Sequence, residues 1–172
     1  MDKETQFKTA VEANKDRIYR ICCCYVRDEH ERRDVFQEVL IHIWEGLDRF
    51  GEKSQISTWI YRIAVNTCLG HIRMQTRRRK VFDGSVYVDQ ETIADASASE
   101  GSAETEHAVS RLYDCINQLL PLEKTLVSLY LEDLRTEQMS EVVGISEGNV
   151  RVKLHRIKKK LKEMMEGDSH GS

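Results

Sequence analysis

The chain has 172 residues, of which 40% are hydrophobic, 32% are charged and 7% are aromatic, and its net charge is −3. This composition is typical of a soluble globular protein that buries one core or two small ones. No apolar run approaches the roughly 20 residues of a membrane span, and the charged N-terminal segment is unlike a secretory signal, so we expect a cytoplasmic protein.

The charge is unevenly distributed along the chain. Residues 1–80 carry 16 Lys and Arg against 12 Asp and Glu, residues 81–108 carry none against seven, and residues 109–172 carry ten of each. The position of the charges therefore says more about binding partners than their average does.

The first 80 residues are predicted to form three amphipathic helices. Apolar residues recur there at spacings of three, four and seven, as on one face of a helix. The three apolar stripes consist of Phe7, Val11, Ile18, Ile21, Cys22 and Tyr25, of Val35, Val39, Ile43, Trp44 and Leu47, and of Ile60, Ile63, Ala64, Cys68 and Ile72. Gly51 is predicted to end the second helix, and Ser57 or Thr58 to cap the third. No segment shows the sustained alternation of a strand, so the predicted fold class is all-α.

The middle of the chain lacks this pattern. Residues 81–106 are acidic, rich in Ser and Ala and short of large apolar residues. Such a composition predicts a flexible acidic linker. The chain is therefore divided into a helical domain (1–80), the linker (81–106), a second helical domain (107–166) and a disordered tail (167–172).

The second domain is predicted to contain a helix-turn-helix. Two helices, one from near Thr105 and one over about 122–133, are separated by Pro121, the only proline. A short helix capped by Thr136 then leads to Gly144 in the turn. The next helix is predicted to begin after a capping serine and to bury Val150, Leu154, Ile157 and Leu161. A short helix, a glycine-containing turn and a longer helix form the DNA-binding plan whose second helix enters the major groove.

The predicted recognition helix is strongly basic on its outer side. Seven Lys and Arg lie between Asn149 and Lys162 with no acidic residue among them. A basic helix is often only a solvated surface, but the turn in front of this one favours DNA binding. Arg151 and Arg156 are candidates for paired hydrogen bonds to guanine, and His155 for a base or phosphate contact. The later lysines are predicted to contact phosphates, which position the protein without specifying sequence.

The sequence shows no pattern of residues for catalysis or for a cofactor. Cys22, Cys23 and Cys24 are consecutive, so on a helix their side chains point about 100° apart and cannot converge on one metal ion. We interpret the five cysteines as small apolar residues in a reducing compartment, with a redox role of these three left open. No catalytic residue, metal site or cofactor is predicted.

The two helical blocks together resemble a sigma factor of the extracytoplasmic-function (ECF) group, the smallest members of the sigma-70 family. The run DVFQEVLIHIWEGLDRF followed by STWIYRIAVNTCLGHIR is similar to region 2 of that family. The run LLPLEKTLVSLYLEDL, which precedes the helix-turn-helix, is similar to region 4. The resemblance covers nearly the whole chain outside the linker, in the right order. Gly70 departs from it, because an acidic residue is common at that position.

This resemblance implies a transcription initiation factor without enzymatic activity, which directs core RNA polymerase to promoters. Region 2 would clamp the coiled coil of the β′ subunit through Asp34, Gln37 and Glu38. Region 2 would also recognise the −10 promoter element and a flipped base of the open strand, through Phe50, Lys53, Ser54, Trp59, Arg62, Asn66, Arg73, Arg77, Arg78 and Arg79. Region 4 would contact the flap of the β subunit and read the −35 element, through Asn149, Arg151, Val152, Lys153, His155 and Arg156.

Two further expectations follow from the resemblance. The two promoter elements lie more than one helical turn apart, so a flexible tether between the reading domains is appropriate. Members of the group are usually held inactive by an anti-sigma factor, often one anchored in the inner membrane. For Trp59, the resemblance to a base-contacting residue competes with a role as a core anchor, which we favour.

Three other interpretations were weighed. A stand-alone helix-turn-helix regulator would explain the second domain but not the DxxQE and TWIYRIAVN runs of the first. An enzyme would need a nucleophile, phosphate loop or metal spacing that the sequence does not show. A purely structural helical adaptor would not explain two separate basic segments.

Overall fold

The computed structural model describes residues 2–51, 54–83 and 103–167, and this part of the chain is all helical, as predicted. Residues 47–49 form a short 3-10 helix. The α-helices are α1 (Lys3–Cys23), α2 (Glu29–Gly46), α3 (Ile56–Asp83), α4 (Ala103–Asn117), α5 (Pro121–Leu131), α6 (Thr136–Val143) and α7 (Glu147–Gly167).

Helices α1, α2 and α3 form the first bundle and pack against one another along the predicted stripes. The side chains of Val35, Val39 and Ile43 on α2 are buried, with the remaining core contributed by Ile18, Ile21, Cys22, Ile60, Ala64 and Cys68. Trp44 is the exception in the α2 stripe, because it is 39% exposed and packs edge-on against Phe7, with ring centroids 5.3 Å apart.

A buried polar network that the sequence did not reveal links α1 to α3. The hydroxyl of Tyr61 donates to Asn14 Oδ1 at 2.7 Å, and Asn14 Nδ2 donates to the carbonyl of Ala10 at 2.8 Å. Arg17 donates to the same hydroxyl at 3.1 Å. Because a buried polar group is costly to leave unpaired, this chain of hydrogen bonds helps to fix how α3 lies against α1.

Helices α4 to α7 form the second bundle, and α6, its turn and α7 have the predicted helix-turn-helix geometry. Gly144 has φ of 76°, a left-handed conformation that glycine adopts without steric cost. The N–H of Asn149 donates to Ser146 Oγ at 3.3 Å, so Ser146 caps α7 as expected. The four apolar residues predicted to face inward on α7 are all buried.

Three predicted helix limits were wrong. Helix α2 ends at Gly46 rather than Gly51 and is followed directly by the 3-10 turn, in which Leu47 is buried. Helix α3 begins at Ile56, before either of the two residues predicted to cap it. Helix α6 begins at Thr136 itself, and Gln138 Oε1 accepts the N–H of Arg135, so an amide side chain satisfies this backbone group in place of a threonine hydroxyl.

The helices extend into the segment predicted to be a linker. Helix α3 continues to Asp83 and α4 begins at Ala103, so residues 81–83 and 103–106 are helical. Residues 84–102, and residues 168–172 of the predicted tail, lie outside the described part of the chain, and the predicted flexibility of the linker stays a prediction. The two bundles touch, with α6 packed on α3 and α5 on α1 and α3.

Two glycines give a matched prediction about stability. A Cβ built on Gly46 would lie 2.9 Å from Cζ2 of Trp59, whereas a Cβ on Gly70 would meet no atom within 4 Å. Ala gains up to about 1 kcal/mol over Gly in a helix interior, while overpacking a core costs typically about 1–3 kcal/mol. We therefore expect Gly46→Ala to lower the melting temperature and Gly70→Ala to raise it. Equal stabilisation by both substitutions would contradict the described packing of the Trp59 ring.

Candidate polymerase and nucleic-acid interfaces

The outer face of α2 carries the three residues predicted to bind polymerase. Asp34, Gln37 and Glu38 are all exposed, on the side of the helix opposite its buried residues. Within the described ranges neither carboxylate forms an ion pair with another side chain. These carboxylates are therefore free to meet cationic groups of a partner.

The same face includes an apolar residue that the sequence analysis missed. Ile41 follows Glu38 by three residues and is 55% exposed, between the acidic residues and Trp44. Its signal was its phase, because it falls outside the series of Val35, Val39 and Ile43 that points inward. The face thus combines carboxylates with exposed apolar surface, which is common in protein interfaces.

Helix α3 presents a stripe of polar and cationic side chains along its outer face. Arg62, Asn66, Arg73 and Arg77 are separated by four, seven and four residues, a spacing that puts them on one side of the helix. Asn66 and the two later arginines are exposed, as are Arg78 and Arg79 at the end of the helix. Phe50 and Ser54, before the helix, are half-buried, and Lys53 lies outside the described residues.

Trp59 lies inside the fold more than on its surface. Its ring packs over Gly46 and against Phe50, with ring centroids 5.1 Å apart. The first helix of the domain is thereby held at a short distance from α3. This packing supports the interpretation of Trp59 as an anchor for the start of α3, and its predicted contact with DNA stays a prediction.

Arg62, the first residue of the α3 stripe, is engaged by the second bundle. Its Nη2 donates to the carbonyl oxygen of Glu141 on α6 at 2.9 Å, while its Nε is buried and has no hydrogen-bond partner. An unpaired buried guanidinium nitrogen is unfavourable. This arginine is therefore poorly satisfied in the described arrangement.

The predicted recognition residues lie on the outer side of α7. Val152 is 51% exposed and points away from the core. Asn149, His155 and Arg156 lie three or four residues from it and are exposed, so they surround it on the helix surface. Arg151 is exposed at one flank, whereas Lys153 is half-buried at the other.

The comparisons with known proteins match both bundles. A model of sigma-70 region 2 matches residues 10–78, and a model of sigma-70 region 4 matches residues 110–161. The two matched segments occur in the order expected for one protein and together cover more than half of the chain. The chain belongs to the sigma-70 family.

Curated relatives place this sigma factor in the ECF group. It is 26% identical over 166 residues to the ECF RNA polymerase sigma factor SigW of Bacillus subtilis, covering 92% of this chain and 88% of that protein. It is also 26% identical over 149 residues to the sigma factor SigV of the same organism, covering 86% and 84%. The protein is therefore a transcription initiation factor that directs RNA polymerase to promoters, and the region 2 match leaves the stand-alone regulator without support. Sigma factors are transcription factors and not enzymes, in agreement with the prediction.

Solved structures share the fold. The sigma factor RpoE in complex with the anti-sigma factor NepR from Bartonella quintana matches with a TM-score of 0.79 at 18% identity, covering 94% of this chain and 97% of that one. CnrH in complex with the cytosolic domain of CnrY matches with a TM-score of 0.67 at 17% identity, covering 96% and 90%. These likenesses concern the fold of this sigma factor.

Two of the late lysines on α7 have partners within the protein. Lys160 Nζ lies 3.0 Å from Glu123 Oε2 on α5, and Lys158 Nζ lies 4.6 Å from the ring centroid of Tyr130. Partial burial would raise the pKa of Glu123, but the Leu120 N–H and Lys160 lower it overall. The general prediction that the late lysines meet phosphates therefore applies best to Lys159 and Lys162, which are the most exposed of them.

The cysteines of this sigma factor point into different surroundings. Cys22 and Cys68 are fully buried with their sulfur atoms 3.8 Å apart, whereas Cys24 contacts the carbonyl of Arg20. Burial raises the pKa of the Cys23 and Cys24 thiols, and contact with Cys22 together with burial raises that of Cys68. Protonated thiols are poor nucleophiles and metal ligands. Within the described ranges no cluster of three metal-ligating side chains occurs, and no helix is long and apolar enough to span a membrane.

Proposed function

We propose that this sigma factor binds core polymerase through α2 and reads the −10 and −35 elements through α3 and α7. The observation that carries the proposal is the orientation of the two reading helices. Each buries its apolar side in its own bundle and exposes a polar, cationic side, in the two segments that match the promoter-reading regions of the family.

The face of α2 supports a contact with the β′ coiled coil. Asp34 and Glu38 have no intramolecular partner in the described residues, and Ile41 adds apolar area between them and Trp44. Such a mixed surface gives steering by charge and affinity by burial. Gln37 adds a side chain that can both donate and accept a hydrogen bond.

A groove in the second bundle supports a contact with the β flap. It lies between α4, α5 and α7, and its lining is mainly apolar, formed by Leu112, Val127, Tyr130, Leu131, Leu161 and Met165. Tyr130 is 41% exposed and Leu131 39%. Exposed apolar side chains that line a groove between helices suit an amphipathic helix of a partner.

The stripe on α3 supports recognition of an opened −10 element. Asn66 can donate to and accept from a base edge, and the arginines beyond it can track the phosphates of the displaced strand. Lys53 and Ser54 would contribute from the preceding loop, with Phe50 and Trp59 holding the loop against the helix. Arg78 and Arg79 extend the cationic surface to the end of the stripe.

The outer side of α7 supports recognition of duplex DNA at the −35 element. Arg151 and Arg156 can each form a two-pronged hydrogen bond with guanine, while Asn149 suits adenine and Val152 suits the methyl group of thymine. His155 and Lys153 would add base or phosphate contacts at the margins. These side chains stand on a rigid, well-capped helix, which favours accurate reading.

Two wider features belong to the proposal. Because core polymerase and chromosomal DNA occupy the bacterial cytoplasm, the protein would act there. The matched structures are complexes with NepR and with the cytosolic domain of CnrY. We propose that an anti-sigma factor likewise restrains this chain, and that the acidic segment 81–106 serves as the flexible tether between the domains.

Asn66→Ala tests the role of α3 in promoter opening. We expect permanganate oxidation of unpaired thymines at the −10 element to fall about tenfold, since a contact with a base is worth about 1–3 kcal/mol. The measurement uses the purified chain with core polymerase on a promoter that the wild-type protein opens. Gln75→Ala is the matched control, because it removes a similar carboxamide from the opposite side of α3. A similar loss in both variants, or none in either, would contradict the assignment.

A further inference from the structure

A buried carboxylate joins the two bundles. Glu132, just after α5, has a side chain that is only 3% exposed. Arg20 on α1 donates to it from Nε and Nη2, at 2.8 Å to Oε1 and 2.8 Å to Oε2, and Arg17 Nε lies 3.9 Å away. Two parallel, charge-assisted hydrogen bonds with fork geometry are among the strongest polar contacts in proteins. This contact spans 112 residues of sequence and connects region 2 directly to region 4.

A second, neutral contact is buried beside it. The hydroxyl of Tyr25 donates to Thr125 Oγ1 at 2.7 Å, and burial raises the pKa of the phenol, which therefore stays a donor. Around this contact Asn117 Nδ2 donates to the carbonyl of Cys23 at 3.3 Å, and Arg27 forms an ion pair with Asp114. The junction of α1 with α4 and α5 is thus an ordered interface with paired polar groups.

The same arrangement covers the start of the α3 stripe with α6. Gln138 Nε2 donates to Gln55 Oε1 at 3.1 Å and to Thr58 Oγ1 at 3.3 Å, and Arg62 donates to the backbone of α6. Thr58 is 1% exposed as a result of this packing and that of its own bundle. Nucleic acid therefore cannot reach the N-terminal part of the stripe while α6 stays in place.

The described arrangement also brings the two reading surfaces too close together. Packed helices lie about 8–10 Å apart, and α6, which touches α3, is the immediate neighbour of the recognition helix α7. One turn of DNA is about 34–36 Å long. Surfaces separated by only two helix layers cannot contact two promoter elements that are more than a turn apart. The bundles must therefore separate before both elements are read.

We propose that Glu132 is the latch of a closed state in which the free sigma factor masks its own −10 reading surface. In this state Arg17 and Arg20 hold α5 on region 2, α6 covers the start of the α3 stripe, and α7 remains exposed. Contacts with polymerase that exist only in the open state shift the equilibrium toward separation. The masking part of the proposal rests on the proposed role of α3 in DNA binding, whereas the latch does not.

Glu132→Gln in the full-length chain tests the latch. It keeps the shape of the side chain but removes its charge, and Arg20, which is half-exposed, can be hydrated after the change. We expect a larger radius of gyration by small-angle X-ray scattering, faster hydrogen exchange in α6, and at least tenfold tighter binding to a short fluorescein-labelled single-stranded DNA. Glu163→Gln is the control, because it removes one negative charge from an exposed site on α7 far from the interface.

Tyr25→Phe provides an independent variant if Glu132→Gln perturbs folding. It removes one buried hydrogen bond without changing the net charge, and the same shifts are expected with severalfold smaller size. An unchanged radius in both variants would overturn the latch. Expansion without tighter DNA binding would overturn the masking. Failure of the proposed role of α3 would appear instead as a silent Asn66→Ala, a substitution that leaves the radius unaffected.

Discussion

Replacing Asp34 and Glu38 together by lysine is expected to weaken binding to core polymerase at least a hundredfold and to abolish promoter-dependent transcription. Like charges brought together in an interface cost several kcal/mol, and each 1.4 kcal/mol is a factor of ten in affinity. Folding should survive, because both side chains are exposed and have no ion-pair partner in the described part of the chain. The affinity is measured by fluorescence anisotropy with labelled sigma factor and unlabelled core enzyme.

The control for this double charge reversal is Glu4→Lys with Glu12→Lys. Both residues are exposed on α1, and both take part only in exposed ion pairs that contribute little to stability. It should therefore leave affinity within a factor of a few. Wild-type affinity in the α2 double variant, with its helicity intact, would show that polymerase binds elsewhere.

Arg156→Ala and Lys159→Ala are expected to fail in different ways. Arg156 is placed to read a base, so its loss should reduce affinity about tenfold to a hundredfold at the preferred −35 sequence and relax the preference at one base pair. Lys159 is 74% exposed and placed to meet a phosphate. Its loss should weaken binding to all sequences alike and lower the slope of log affinity against log salt by about one.

The two variants are compared by competition binding of holoenzyme to promoter fragments with each −35 base pair changed in turn. Since the residues are three positions apart on the same helix, a general disturbance of α7 would affect both in the same manner. Identical base preferences in Arg156→Ala and the wild type would contradict base reading by this side chain.

Most of the fold was predictable because its signals are local. The spacing of Val35, Val39 and Ile43 gives the buried side of α2, and the same rule gives the buried side of α7. Gly144 and Ser146 identify the turn and the cap through their own backbone and hydroxyl chemistry. Each of these features depends on residues within about two helical turns of one another.

The helix limits that were wrong depend on contacts from elsewhere. Helix α2 ends at Gly46, where the Trp59 ring leaves no room for a Cβ, although Gly51 has the better sequence signal for a stop. Thr58 was predicted to cap α3, yet its hydroxyl accepts a hydrogen bond from Gln138 of the second bundle. Propensity is overridden where tertiary packing supplies a stronger interaction.

The contact between the bundles could not be predicted from the sequence. Glu132 follows a helix in an ordinary acidic run, and Arg20 lies on the exposed-looking side of an amphipathic helix. Neither residue has a periodicity or spacing signal, because their contact bridges two separately folded units. The site surfaces were easier to predict, since the family resemblance assigns them and the helix phase then indicates which side chains are exposed.

Transcription in vitro is the most direct test of the proposed function. The purified chain is combined with bacterial core polymerase and a pool of genomic fragments, and RNA 5′ ends are mapped with and without it. We predict discrete transcripts that require this chain and that share two sequence elements upstream of their start sites. No dependent transcript, together with sequence-specific DNA binding by the chain alone, would contradict its assignment as a sigma factor.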